Sequence, residues 1–471
     1  MLVAALRFSV VTSVAVFLAV PALAAPVTFD QDHPLFRLLT AAPQKRFAVA
    51  AELVLAPESA STEEIRDLVS KAPFKYLFRA SKTAQAALDF VLLKRSGGVV
   101  PALAIGAEKS GPNLLLLAVD GLRSDYVGAY GHPRPTTPRL DALARDGALF
   151  VAAVSTSSWS LPGHASLLTS LYPSAHGLES REELASMRLS REVTTLAEAF
   201  QNAGFDTAGL ATDALLDPRP GFDRGFDVYV RRAGTVVEQT ARARLWLEWH
   251  VYHVARGLEP GRFLLFVQID GSSSSAAMPA PYAAMFPALA DSDQARAIAA
   301  YEAQTRWVDD QIGILIDALS GLGLGDATAV VVTASHGTEL GERGAYGAGN
   351  SLHAEQLRVP LIVRFPGRVE PGQRIAGTVS LLDVLPTALT WAELAPVASA
   401  QGMDLTPYVR RPGHEDLPPP LPQRDLVAEL GPAERDWERP FHIRALRSGD
   451  RKLIVHRATD GAKQKTMFDL A

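Results

Sequence analysis

The chain has 471 residues, 48% hydrophobic and 21% charged. That is enough apolar material for a large core in several layers, and too ordinary a composition for a disordered chain. The formal net charge is −5 with no basic block, which argues against nucleic acid or anionic lipid as a partner, and with no cysteine the fold rests on packing alone.

Residues 1–25 read MLVAALRFSVVTSVAVFLAVPALAA. One cation, Arg7, precedes an apolar stretch from Phe8 to Val20, then Pro21 and the small-residue run Ala22-Leu23-Ala24. This order predicts a signal peptide over residues 1–24, cleaved after Ala24, and an exported protein, periplasmic or secreted. The apolar core is short for a membrane span, which needs ~20 residues, and nothing later reads as one.

Residues 26–110 carry helical patterning. TEEIRDLVSKAPFKYLF is opened by Ser61-Thr62 with acids in the first turn, and KTAQAALDFVLLKR follows. GAEKSGP, from Gly106 to Pro112, reads as a linker. From Asn113 the texture changes to short continuous apolar runs: NLLLLAV (113–119), FLLFVQI (263–269), TAVVVTA (328–334) and VPLIVRF (359–365). Continuous runs predict strands buried on both faces, hence an α/β sheet with helices on either side. TTPRLDALARDG, EVTTLAEAFQNAG and ARAIAAYEAQTRWVDDQIGILIDALSGL supply helices between them. This second region is placed at 112–410. The proline-rich RPGHEDLPPPLPQ (411–423) is a second linker, leaving 424–471 as a small C-terminal subdomain. Within it, FHIRALRSGDRKLIVHR predicts a hairpin on a Ser-Gly-Asp turn.

Ligands in such sheets sit at the carboxyl ends of strands. Asp120 follows one buried run and Ser335-His336-Gly337 another, while Ser160 stands at the mouth of a helix in SWSLPGHASLLTS. A carboxylate, a histidine and a hydroxyl at a helix start can compose a metal and nucleophile site, although polar residues at strand ends are also common turn formers.

Several motifs then fall in order. NLLLLAVDGLRSDYVGAYGHPRPTTPRLDALARDGALF, WSLPGHASLLTSLYPSAHG and ASHGTELGERGAYGAGNSLHAEQLRVPLIVRFPG resemble the sulfatase family of the alkaline-phosphatase superfamily. VSLLDVLPTAL and MFDLA resemble its later landmarks, so the match runs from Asn113 to the C-terminus. The resemblance implies a central mixed sheet flanked by helices, a divalent cation (Ca, Mg or Mn) and a nucleophile attacking a sulfate or phosphate ester. It places Asp120, Ser335 and His336 at the metal, Ser160 as nucleophile, and Gln268, Asp270 and Asn350 around the substrate, while His164, one turn past Ser160, could act as a general base. Ser160 lies in Ser160-Leu161-Pro162-Gly163-His164, with histidine where formylglycine-forming members carry arginine, and is closer to the branch with unmodified serine or threonine nucleophiles. No formylglycine is expected.

The departures bear on function. Where the family has Asp-His-Gly this chain has Ser335-His336-Gly337, and where relatives have Gly-His it has Gly349-Asn350. Gln268 and the run GSSSSAA (271–277) stand where the family places histidines, and Gly121 where it often places a second acid. A hard divalent cation wants several oxygen ligands and enough negative charge to offset desolvation, and one carboxylate offers little of either. Asp270, Glu339, Glu342 or His353 could in principle supply a displaced ligand, but Glu339 and Glu342 are expected to be solvated loop acids. His132 and His176 are expected to make turn hydrogen bonds. Two functions therefore stand: a hydrolase or transferase of sulfate or phosphate esters, or a catalytically impaired descendant binding a glycan, a lipid headgroup or a protein.

Overall fold

Asn113–Asp120 is buried along its whole length, because it lies between two parallel neighbours in the middle of the main sheet. The computed structural model describes residues 34–55, 62–70, 81–103, 112–179, 186–258, 261–271, 278–414, 416–431, 442–457 and 462–470. The signal-peptide reading, the first linker from Gly106 to Gly111 and the serine run from Ser272 to Ala277 lie outside them. The chain divides into two compact units, 1–99 and 100–471.

In the first unit, helices span Pro34–Thr40, Pro43–Leu55, Thr62–Ser70 and Lys82–Arg95. The last coincides with the predicted segment, its N-terminus capped by Ser81 and its last turn carrying Lys94 and Arg95 against the helix dipole.

The second unit is built on β1 (Asn113–Asp120), β2 (Ala148–Val154), β3 (Asp206–Ala211), β4 (Val228–Arg231), β5 (Phe263–Asp270) and β6 (Thr328–Thr333). A short pair, β7 (Glu339–Leu340) and β8 (Tyr346–Gly347), precedes β9 (Arg358–Val359), β10 (Leu361–Arg364) and β11 (Gln373–Ser380). The main sheet has the order β11-β2-β10-β6-β1-β5-β3-β4, with β9 on β2. The β6-β1-β5-β3-β4 stretch is parallel, while β10 runs antiparallel to both neighbours, so the sheet is mixed, as expected. All four predicted apolar runs are strands in this sheet. The fourth breaks at Pro360, which separates β9 from β10 because proline cannot donate to a ladder.

Helices Pro138–Arg145 and Leu196–Asn202 fall in two predicted segments, and Asp293–Gly321 matches the third but starts two residues earlier. The long helix also holds the first of these in place, since Asp309 accepts from the backbone N–H of Arg139 and Leu140, both at 2.8 Å. β12 (Asp425–Leu430), β13 (His442–Ser448), β14 (Arg451–Arg457) and β15 (Lys463–Asp469) form a separate antiparallel sheet. Its central hairpin is the predicted one, although Ser448 still pairs with Arg451, so the turn is Gly449-Asp450. Gly449 adopts φ 55°, as the first central residue of a tight hairpin turn requires.

Candidate active site

β1 and β6 end side by side, and Ser160–Thr169 starts a helix against them. Two features make this approach close. Ser155–Ser158 is buried throughout and crosses from β2 to the helix, with Ser155 Oγ donating to Ser335 O and Ser157 Oγ to Glu429 O at 2.7 Å. Gly163 sits where a Cβ would lie 2.5 Å from Ser335 O, so only a hydrogen fits between the helix and the 335 segment.

Ser160 and His164 are one helical turn apart and point to the same side. Both reach the Asp120 carboxylate, one per oxygen. Ser160 Oγ donates to Oδ2 at 3.1 Å, and His164 Nε2 to Oδ1 at 2.7 Å. Ser335 Oγ donates to Oδ1, and Gln268 Nε2 to Oδ2 at 2.9 Å. An ionised carboxylate has about four acceptor positions, and all are taken. His336 Nδ1 lies 2.8 Å from Ser335 Oγ, whose proton is committed to Asp120, so the imidazole donates to the serine. Burial acts to raise the Asp120 pKa. The imidazoles of His164 and His336, with hydrogen bonds from His164 and Ser335, outweigh it and hold the carboxyl well below the usual carboxylate range.

The orientation of Gln268 is fixed by its other end. Its Oε1 accepts from Thr212 N at 2.8 Å, Thr212 Oγ1 at 3.1 Å and Asp213 N at 3.1 Å. The amide nitrogen must therefore face Asp120. The nearest neighbours of this carboxylate are N–H and O–H donors, where a hard cation needs oxygen lone pairs. The residues present do not fit a divalent ion. Among the described residues no group of three or more His, Asp or Glu side chains is placed to hold a metal.

The predicted site residues thus separate into two sets. Asp120, Ser160, His164, Gln268, Ser335 and His336 come together in one hydrogen-bonded cluster. His164 is turned to Asp120 and not to the Ser160 hydroxyl, so it is not placed as that hydroxyl's base. Gln268 is fully buried. Asp270 ends β5 in register with Asp120, half-buried. Asn350 is exposed in a loop, donating from Nδ2 to Tyr346 O at 3.5 Å and accepting from Gln356.

Glu339 corrects the expectation of a solvated acid, whereas Glu342 is exposed in its loop, as expected. Glu339 is buried, taking Arg343 at 2.7 Å and Ser351 Oγ at 2.9 Å. Glu342 accepts from Leu340 N at 2.7 Å and pairs with Arg123. His353 precedes the short helix Ala354–Leu357 and stacks edge-on against Phe468. His176 accepts from Leu178 N at 3.0 Å, the expected turn bond, and burial pushes its pKa down to about 3. His132 bonds the turn carbonyl of Asp125 at 3.1 Å and also reaches Glu302 at 3.0 Å. Sequence reading passed over Arg123, which ties the β1 end to Asp125, Thr338 O and Glu342, and Thr212, which locks Gln268. A lone arginine in DGLRSD was a signal; Thr212, distant in sequence and ordinary in type, was none.

No helix among the described residues is long and apolar enough to cross a membrane. The family described as Sulfatase matches residues 112–394. The chain is 25% identical over 345 residues to an ulvan-active sulfatase of Formosa agariphila, covering 65% of this chain and 67% of that protein. It is 26% identical over 351 residues to the human N-acetylgalactosamine-6-sulfatase, covering 63% and 65% respectively. It thus spans about two thirds of the length of these relatives. Its fold matches that of the phosphonate monoester hydrolase of Agrobacterium radiobacter, with a TM-score of 0.62 at 19% identity over 76% of this chain and 89% of that one. With the mixed sheet, the helix-mouth serine and the matched span in agreement, the chain belongs to the sulfatase family, the sulfate- and phosphonate-ester hydrolases of the alkaline phosphatase superfamily.

Proposed function

We propose that this member keeps the family's fold while its metal centre has become a structural hydrogen-bonded cluster, and that the protein acts by binding and not by metal-dependent turnover. The observation that carries this reading is the Gln268 amide, locked by Thr212 and Asp213 so that a donor faces Asp120. Without a cation nothing lowers the pKa of the Ser160 hydroxyl or neutralises the leaving ester, an effect worth several kcal/mol. Sulfated or phosphorylated glycans and lipid headgroups are the ligands that the family relationship favours, in an exported, periplasmic or secreted setting.

A second reading, hydrolysis through an unmodified Ser160, is favoured by the position of its hydroxyl at the helix start, 3.1 Å from Asp120 Oδ2. Against it stands the depressed pKa of Asp120, which makes that carboxylate a poor base.

The two are separated by metal analysis of the purified protein, with turnover of 4-nitrophenyl sulfate and a phenyl phosphonate ester. The expected result is no stoichiometric Ca, Mg or Mn and no turnover, in wild type and in Ser335→Asp alike. One equivalent of cation, with turnover abolished in Ser160→Ala, would overturn the binding reading. Intact mass should show serine at 160; an aldehyde there would refute the unmodified residue.

A further inference from the structure

Away from the Asp120 cluster, a cavity of about 270 Å³ lies between the C-terminal sheet and β2, sharing no residue with that cluster. This volume would hold about nine waters, the size of one ring or a short alkyl chain with its headgroup. Val154, Leu357 and Leu426 supply apolar wall, while Arg358, Arg447 and Lys452 face into the same space.

Lys452 decides what the cavity fits. The residue is 7% exposed, and among the described residues it has neither a hydrogen-bond acceptor nor a carboxylate partner. Glu355, the acid whose field reaches it, is held by both terminal nitrogens of Arg343, at 3.1 and 2.7 Å. Among the described residues Arg447 donates to Gly449 O at 3.2 Å, with Asp450 in its field, and Arg358 to Val151 O at 3.3 Å, and neither forms an ion pair with an acid. Burial, with the fields of Arg447 and Arg343, pushes the lysine pKa down to about 8, which still leaves an ammonium at neutral pH. A buried cation with no anion beside it destabilises the fold unless a ligand supplies one. Apolar walls with a few convergent polar groups are what small-molecule sites present.

We propose that this cavity binds a small organic monoanion, its headgroup meeting Lys452 and Arg447 and its single ring or short alkyl chain lying against the β2 and β12 walls. Carboxylate and sulfate headgroups share the required chemistry. The reading stands independently of the Asp120 cluster.

Calorimetric titration of the full chain with octanoate, hexyl sulfate and the neutral 1-hexanol tests it. Both anions should bind at least tenfold more tightly than the alcohol, and their relative affinities say which headgroup is preferred. Lys452→Met keeps the length of the side chain and removes its charge. It should lower anion affinity at least tenfold while raising the melting temperature of the free protein, since an unpartnered buried ammonium is gone. Ala428→Phe fills the cavity without touching the lysine and should abolish binding of anion and alcohol together. Absence of anion binding would overturn the proposal, as would binding that survives both substitutions or alcohol binding as tight as that of the anions.

Discussion

Asp120 is a buried anion whose stability depends on four side chains from three different segments. Asp120→Asn replaces two acceptor oxygens with one and turns an amide N–H₂ toward other donors. It should cost about 3–5 kcal/mol, the usual loss when one partner of a buried polar pair is removed, read as a fall in the denaturation midpoint. Gln268→Glu tests the donor argument from the other side. Two adjacent carboxylates should lower the melting temperature in chelator and recover part of it with Ca²⁺ or Mn²⁺, whereas wild type should show no cation-dependent shift. A wild-type shift as large as that of the variant would mean that the cluster already accepts the ion. Sequence alone made the residues of this cluster legible, since Asp120, Ser160, His164, Gln268, Ser335 and His336 stand at motif positions. It did not reveal which way each donor points, because that depends on Thr212 and on His336, whose bonds are made only in the folded sheet.

The helix Ser160–Thr169 can approach the 335 segment only through Gly163. Gly163→Ala should destabilise by about 1–3 kcal/mol, the range for overpacking a tight contact. It should also shift the His164 imidazole resonances in an NMR spectrum; unchanged resonances would deny the close approach. Behind this helix, His176 Nε2 lies 3.2 Å from Ser166 Oγ. Its folded pKa of about 3 lies below the ordinary value of 6.5, and His253 is likewise pushed down by burial to about 4. In each case the unfolded chain takes up a proton first. Their contribution is therefore complete above pH 6.5 and declines as pH falls toward 4 and 3, by up to ~1.4 kcal/mol per pH unit for each. Denaturant melts at pH 7, 6 and 5 should show this slope, and His176→Gln should flatten it. Continuous apolar runs made the parallel core strands readable. β11 was missed because it lies at the sheet's edge, half-exposed over most of its length, and shows no continuous apolar run.

At the scale of the molecule, the chain divides at Val99–Val100, and residues 100–471 hold both sheets and the Asp120 cluster. A chain starting at Val100 should keep a cooperative thermal transition and the octanoate response of the longer protein; loss of both would show that residues before Val100 belong to the same folding unit. The first region's helices could be read from capping and charge at their ends, whereas its task could not, since its residues carry no motif. The same limit applies to the C-terminal sheet. Its hairpin announced itself through alternation and a turn, but the cavity against β2 arises from strands hundreds of residues apart in sequence.

The lock on the Gln268 amide also bears on descent. A lineage that tried to regain a bound ion by restoring one acid would first place two like charges among inward-facing N–H groups, with nothing yet present to neutralise them. On the proposed reading, a reversal such as Gln268→Glu would pass through a less stable protein, so the change would work as a ratchet. A bound ion would then be regained only by rewriting several positions together.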